Sequence, residues 1–522
     1  MWQIIVSPYG VLASSLVGFI PLFWLLISLG WLKIAAPKAC FIGLIITITL
    51  AMFSWNMPGA LTLRAGLEGS VYAFFPIIWV IIAALFTYNL SVKTGAMDNI
   101  KHQIANLSTD RRIQALLIVW GFGGFLEAMA GFGTAVAIPA AILIGLGFDP
   151  FFAAAFCLIS NTAPTAFGAI GIPVTTLSGV ANVPLLPLTF DVALQLTPLV
   201  ILIPFILVII MTKKLSGLKG VIGATLIAGG SFAAVQLLVA KYLGPQLTAV
   251  LGSVTSMVLT TIWVKLFPPK TVWKFPSEQD VTTETSVEGS TESVGRLTAW
   301  LPYILLLVLI LGTSSLVPIL NEPLNTLMSI YNIYTGPGGH QLEVNWFITP
   351  GTLIMIAAII GGRIQGASFA EMSTTLFKTI ALLPKTIVTV ICIISMAKIM
   401  GYSGMVSAIA LGLANATGNS YPAIAPAIGA LGTFVTGSDT SSNILFGALQ
   451  KQTAIEIGAN STWITASNMA GATAGKMISP QSIAIAASST GLTGREGDLM
   501  GVTFKYCILF CIILGTLVFV NA

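Results

Sequence analysis

Charge is what this chain has least of: Lys, Arg, Asp and Glu make up 8% of 522 residues, against 56% apolar residues and a mean hydropathy of +0.94. So few charges cannot coat a water-soluble globule of this length, and the composition reads as a polytopic membrane protein. Histidine is almost missing. His102 and His340 both fall in polar connections, which excludes a haem held by histidines within the bilayer and a histidine proton wire. The cysteines, Cys40, Cys157, Cys392, Cys507 and Cys511, lie in or at the edges of apolar runs, where a thiol behaves as a small hydrophobe. We expect no disulfide, no metal site and no cofactor. The first apolar run has no basic region before it and no small-residue cleavage site after it, so it reads as a retained span. The even apolar–polar alternation of an outer-membrane barrel is also lacking, which leaves helices to satisfy the backbone in lipid.

Windows of about 20 apolar residues predict spans near 11–32, 35–57, 69–90, 150–182, 189–211, 219–240, 246–267, 298–320, 346–366, 384–401, 460–490 and 502–521. Two further stretches, 113–147 and 421–458, are interrupted by Glu127 to Thr134 and by Thr436 to Asn443. Arms of roughly 14 residues on either side are too short to cross a bilayer, so both read as re-entrant helical hairpins. Residues 91–112 and 406–420 read as surface arms just ahead of them. With the N-terminus outside, 18 of the 23 Lys and Arg fall on the cytoplasmic side and only Arg64, Lys241 and Lys451 outside, as the positive-inside rule demands. The net charge of +5 is then a topology signal, and no nucleic-acid partner is needed to explain it. Both termini are expected outside.

The polar interruptions repeat. Ser160-Asn161-Thr162 through Gly168 to Pro173 returns as Ser467-Asn468-Met469 through Gly475 to Pro480, 307 residues later. Gly59 and Gly366, Pro76 and Pro384, Met97 and Met405, Gly131 and Gly437, and Thr134 and Thr440 keep the same register within one residue. Seven complete spans between the hairpins put them on opposite faces, so the copies are expected to be inverted. Paired helix breaks of this kind point to a secondary transporter with its substrate at the bilayer midplane. The expected fold is all-α, with inverted repeats, two re-entrant hairpins and two broken transmembrane helices.

Each break exposes a helix N-terminus, whose free amides and positive dipole end attract an anion, while hydroxyls and amides bind a cation or a substrate hydroxyl. The candidate substrate-binding residues are Gly131, Thr134, Ser160, Asn161, Thr162, Gly437, Ser438, Thr440, Ser467, Asn468 and Lys476. The competing reading is that these small residues serve tight helix packing. Glu127, Asp439 and Lys476 are costly at membrane depth, about 2.5 to 3.5 kcal/mol for Asp or Lys at a helix centre. Lys476 either meets a substrate carboxylate or bridges to Asp439. Glu127 and Asp439 are the candidate proton carriers, with helix capping as the alternative for Glu127. Lys398 falls near the end of a span and reads as a snorkelling side chain. Gly471 to Met477 mimics a phosphate loop, but its glycine spacing is wrong and Met477 stands where magnesium would need a hydroxyl.

Gly124-Phe125-Leu126-Glu127-Ala128 with Ala130-Gly131-Phe132-Gly133, Asn161-Thr162-Ala163-Pro164, Thr436 to Asn443, and Gly475-Lys476-Met477-Ile478-Ser479-Pro480-Gln481-Ser482 together resemble the lactate permease family. That family belongs to the ion transporter superfamily of inverted-repeat carriers. The resemblance covers nearly the whole chain. It implies proton-coupled symport of L-lactate, D-lactate or glycolate across the bacterial inner membrane, by an elevator in which hairpins and broken helices move against a dimerising scaffold. On that pattern residues 1–112 are scaffold with a surface arm and 113–211 the first transport repeat. Residues 212–420 are further scaffold, including a cytoplasmic linker at 268–297, and 421–522 the second transport repeat. The Ser-Asn-Thr signature is similar to one that touches sodium and carboxylate in dicarboxylate relatives. Met469 replaces its second hydroxyl, which weighs against a symmetric pair of sodium sites and toward proton coupling. The expected partners are a carboxylate anion, a proton, the lipid bilayer and a second copy. A sodium-coupled carrier and an anion channel are the rival readings, and no enzymatic role is expected.

Overall fold

The computed structural model describes residues 2–522 except 26, 29–31, 33, 106–107, 132, 270, 276–294, 314–316, 340 and 493–494. Phe132 of the first tip, His340 and most of the expected cytoplasmic linker therefore lie outside the described residues. Among the described residues the chain is mostly helical, with one two-stranded antiparallel sheet, Met328–Tyr331 against Leu342–Asn345. Among the described residues nine helices are long and apolar enough to cross a bilayer. Large apolar side chains such as Leu12, Phe53, Leu63 and Val520 stay exposed. A bilayer, not water, is the solvent that tolerates them.

The two interrupted stretches are hairpins. Arg111–Met129 is followed, past Gly131 and Gly133, by Thr134–Gly145, and Tyr421–Thr436 turns at Gly437 and Ser438 into Asp439–Glu456. Gly131 (φ 61°) and Gly437 (φ 74°) hold the left-handed backbone that these turns need. The arms run to 19, 12, 16 and 18 residues. Three exceed the expected length because the helices continue through polar residues that a hydropathy window treats as ends, and Arg111–Met129 is itself one of the nine helices long and apolar enough to cross a bilayer, so arm length does not carry the re-entrant reading.

The broken spans need one correction. The first breaks where expected, since Pro150–Ser160 stops at Asn161 and regular helix resumes only beyond Gly171. Ala169 (φ 43°) and Ile170 (φ 59°) are left-handed there without being glycine, a strain of order 1–3 kcal/mol that is typical of ligand sites. The second does not break at Ser467 and Asn468. Ser461–Lys476 runs straight through them, and the interruption falls at Met477–Ser479 before Pro480–Thr490. That break is the register counterpart of 170–172, so the two copies share the position of the interruption and not the Ser-Asn signature, and only the first is left-handed. Buried Ser and Asn inside a helix find partners without ending it: Ser467 Oγ bonds the Ile464 carbonyl at 2.7 Å.

The span expected at 69–90 is also longer. Helix starts at Gly59 and continues to Lys93 with a kink at Phe75 (φ −134°, ψ 116°). Pro76 follows, and the residue before a proline is pushed toward extended backbone. This extension carries Glu68 into the helical bundle. Pro384, the repeat counterpart of Pro76, instead opens the helix Pro384–Ser403.

Candidate functional site

Both hairpin tips and both breaks line one cavity of about 380 Å³. Hairpin one contributes Glu127, Gly131 and Gly133, and the first break contributes Asn161, Thr165, Gly168 and Ala169. Hairpin two supplies Thr436 through Ser441, and the second break Lys476, Gln481 and Ser482. Four helices, Thr134–Gly145, Gly168–Ala181, Asp439–Glu456 and Pro480–Thr490, begin at this cavity. Their positive dipole ends make it suited to an anion. The opposite wall comes from Ile77 and Ile81 past the Phe75 kink and from Lys385, Thr386, Thr389 and Val390. Ile77 and Lys385, and Ile81 and Thr389, are repeat-equivalent, 308 residues apart. The exposed residues of the lining, Ala35, Lys385 and Gln481, with Ala36 and Pro37 half-buried beside them, mark its mouth.

The chemistry concentrates on two buried carboxyls joined by one hydroxyl. Thr165 Oγ1 lies 2.7 Å from Asp439 Oδ2 and 3.1 Å from Glu127 Oε1. Both acids are 3% exposed. Gly168 permits this approach, because a Cβ there would stand 2.8 Å from Glu127 Oε1. Glu127 Oε2, Asp439 Oδ1 and Asn161 Oδ1 are buried without a hydrogen-bond partner among the described residues, so the site keeps unused oxygen valence. The half-buried Lys476 ammonium donates to the Gly437 carbonyl at 3.3 Å. It forms no ion pair within 4.0 Å among the described residues, which leaves its charge available to a ligand.

Of the residues expected from sequence, Glu127, Gly131, Asn161, Gly437, Ser438, Asp439, Thr440 and Lys476 line the cavity. The others support it from behind. Thr134 Oγ1 bonds the Gly131 carbonyl at 2.8 Å and pins the first tip, and Ser160 Oγ bonds the Val119 carbonyl at 3.2 Å. Thr162 is buried beside the break. Asn468 donates to Asn443 Oδ1 at 2.9 Å, Gln450 donates to Asn468 Oδ1 at 3.2 Å, and Asn443 donates to the Pro173 carbonyl at 3.0 Å. This chain of amides ties hairpin two to both broken spans.

Thr165, Gln481, Lys385 and Thr389 were not among the expected residues. Lys385 and Thr389 pair in register with Ile77 and Ile81, apolar residues that carried no signal of a site. Thr165 had no signal either, because its counterpart is Ala472. A second, smaller cavity of about 200 Å³ is lined by Tyr72, Phe75, Val80, Thr175 and Glu343 through Asn345. It shares Ile77 and Ile172 with the first.

Comparison with known proteins agrees with this architecture. Residues 14–522 match the family model for L-lactate permease. An L-lactate permease of Streptococcus iniae is 44% identical over 453 residues, covering 87% of this chain and 93% of its own. The glycolate permease GlcA of Escherichia coli is 36% identical over 550 residues, covering 100% and 98%. Among solved structures the fold resembles MtrF of Neisseria gonorrhoeae, with a TM-score of 0.52, 13% identity and coverage of 95% and 96%.

Proposed function

The chain belongs to the L-lactate permease family, and from that premise we propose that it is a symporter that carries a 2-hydroxymonocarboxylate with a proton across the bacterial inner membrane. It is a multi-pass membrane transporter and not an enzyme. L-lactate is the first candidate substrate, with D-lactate and glycolate beside it. The observation that carries this reading is one cavity joining four helix N-termini, Lys476 and two buried carboxyls. The dipole ends and the ammonium suit the substrate carboxylate, and Asn161, Ser438 and Thr440 suit its hydroxyl.

Charge balance supports the coupling. Among the described residues, Glu127, Asp439, Lys476 and, exposed at the mouth, Lys385 are the ionisable groups that line the cavity, so with all four charged its formal charge is zero. One bound anion makes it −1, and one proton on either carboxyl restores neutrality. Leaving an uncompensated charge at membrane depth costs several kcal/mol, so anion and proton favour each other's entry.

Alternating access is supported by the two cavities. Thr175 lines the smaller one and Ser482 the larger, and the two residues are 307 apart in the repeat register. The mouth at Ala35–Pro37 and Lys385 sits at helix ends that the positive-inside pattern makes cytoplasmic, so this conformation opens inward with both termini outside. In the elevator reading the hairpins and broken helices slide against the wall of Ile77, Ile81 and Thr389, within a scaffold that pairs with a second copy.

Proteoliposomes holding the full chain test the proposal. We expect lactate to accumulate under an inward proton gradient, to be lost with a proton uncoupler, and to be lost in Asp439→Asn. Uptake should fall as external pH rises, because deprotonation empties the proton site. The unpartnered oxygens of Glu127, Asp439 and Asn161 favour one rival, sodium coupling. Accumulation driven by sodium and indifferent to the uncoupler selects that rival, and flux that never saturates selects a channel.

A further inference from the structure

We propose that the Thr165 hydroxyl carries the coupling proton between Glu127 and Asp439, a role that rests on the proton-symport reading above. A threonine hydroxyl has one hydrogen to donate, yet Thr165 Oγ1 lies within hydrogen-bonding distance of both carboxyls, 2.7 Å from Asp439 Oδ2 and 3.1 Å from Glu127 Oε1. If both acids were ionised, one of these two contacts would set an oxygen lone pair against a buried carboxylate. The arrangement is satisfied when one carboxyl is protonated: it donates to Thr165, and Thr165 donates to the other. The three groups then hold one proton and one negative charge between them.

Two such states exist, and they interconvert without moving a heavy atom far. With the proton on Glu127, the Glu127 O–H bond breaks as a new O–H bond forms at Thr165 Oγ1. At the same time the Thr165 O–H bond breaks and an O–H bond forms at Asp439 Oδ2. The negative charge passes from Asp439 to Glu127, and the hydroxyl is regenerated. The three groups come from three different interruptions: Glu127 from the arm before the first tip, Thr165 from the first break, and Asp439 from the second tip. A change in either hairpin therefore reaches the carboxyl on the other. Asp439 lies two residues beyond Gly437, whose carbonyl accepts from Lys476. The ionisable groups facing the relay are Glu127, Asp439, Lys476 and, at the mouth, Lys385.

The experiment compares the reconstituted full chain with Thr165→Val, which keeps the shape and removes the hydroxyl, and Thr165→Ser, which keeps the hydroxyl. L-lactate accumulation, proton entry reported by an internal pH dye, and lactate–lactate exchange are measured together. Removing a proton-transfer group typically costs on the order of 100-fold. We expect proton-driven accumulation in Thr165→Val to fall by that order, by much more than exchange falls, and Thr165→Ser to recover most of it. A coupled wild type together with a fully coupled Thr165→Val overturns the relay alone. A wild type that ignores the uncoupler overturns the symport reading, and the relay with it. If Thr165→Val does not fold, infrared pH titration decides. A protonated-carboxyl band perturbed by Glu127→Gln and equally by Asp439→Asn supports a shared proton, and two bands that respond independently overturn it.

Discussion

Lys398 Nζ lies 2.9 Å from Glu68 Oε1, inside the wall that faces the cavity-bearing hairpins. Glu68 is 1% exposed, and the same oxygen accepts from Tyr402 at 2.6 Å. Tyr402 in turn stacks on Tyr334, with ring centroids 3.9 Å apart. Tyr334 belongs to the connection between the two strands, so a buried ion pair anchors the β-hairpin to the bundle. Lys398 is therefore paired within the protein and does not snorkel as its sequence position suggested. Its partner was hidden because Glu68 sits before the apolar window that marked the span.

Breaking this pair should cost more than deleting it. Lys398→Met leaves a buried carboxylate without its cation, which we expect to lower stability by about 3 kcal/mol. Glu68→Gln combined with Lys398→Met should regain most of the loss. Thermal unfolding of the detergent-solubilised protein measures both, and a double variant no better than the single one would refute the pairing argument.

Lys476 has no carboxylate partner within 4.0 Å among the described residues, although it lines the cavity with Asp439. Its charge should therefore act mainly on the substrate. Lys476→Met is expected to raise the KM for lactate by about 10-fold to 100-fold, equivalent to roughly 1.4 to 2.8 kcal/mol. Lys476→Arg should lose less. Uptake kinetics at fixed pH check this, and an unchanged KM in Lys476→Met would return the residue to a structural role.

Glycine at 471 is required by packing and not by phosphate. A Cβ there would run into the backbone carbonyl of Pro426, and one at Gly475 into that of Ala430. The first arm of hairpin two thus lies directly against the helix Ser461–Lys476. Backbone cannot yield as a flexible side chain does, so Gly471→Ala should destabilise by about 1–3 kcal/mol. Gly497→Ala, with open space around its Cβ, serves as the control. The quantity to measure is the yield of folded protein together with its melting temperature.

The sequence carried the backbone plan further than the side-chain plan. Constant register placed Gly131 with Gly437, and the structure uses both at hairpin turns, whereas Pro76 follows a kink within a helix and Pro384 starts one. The charged residues break that register. Glu127 answers to Thr433, Asp439 to Gly133 and Lys476 to Ala169, so symmetry could neither pair the acids nor reveal Thr165 between them. Symmetry fixes where the chain must unwind, whereas a charge is needed only once per site. The Ser-Asn signature misled for a related reason: Asn468 satisfies its amide with Asn443 and Gln450, and a helix whose polar groups are already satisfied has no cause to break. The amphipathic helix Phe369–Ala381 was legible and went unread. Ser368 and Glu371 form a capping box at its start, a pattern visible in sequence.

The pairing of Thr175 with Ser482 gives the last prediction. These residues hold equivalent places in the two copies, yet Thr175 lines the smaller cavity beside the β-hairpin and Ser482 the larger one, with its mouth at Lys385. Ile77 and Ile172 line both cavities, and apolar side chains at a constriction oppose the passage of a hydrated anion. In an alternating carrier the copies exchange roles, so opening one cavity should close the other. Single cysteines at 175 and 482, in a background lacking the five native cysteines, should react with membrane-impermeant thiol reagents from opposite sides. Substrate should shift the two rates in opposite directions, because one equilibrium governs both openings. Rates that rise together, or two sites reached from the same side, would show that the cavities belong to one continuous path, and the carrier would give way to a pore.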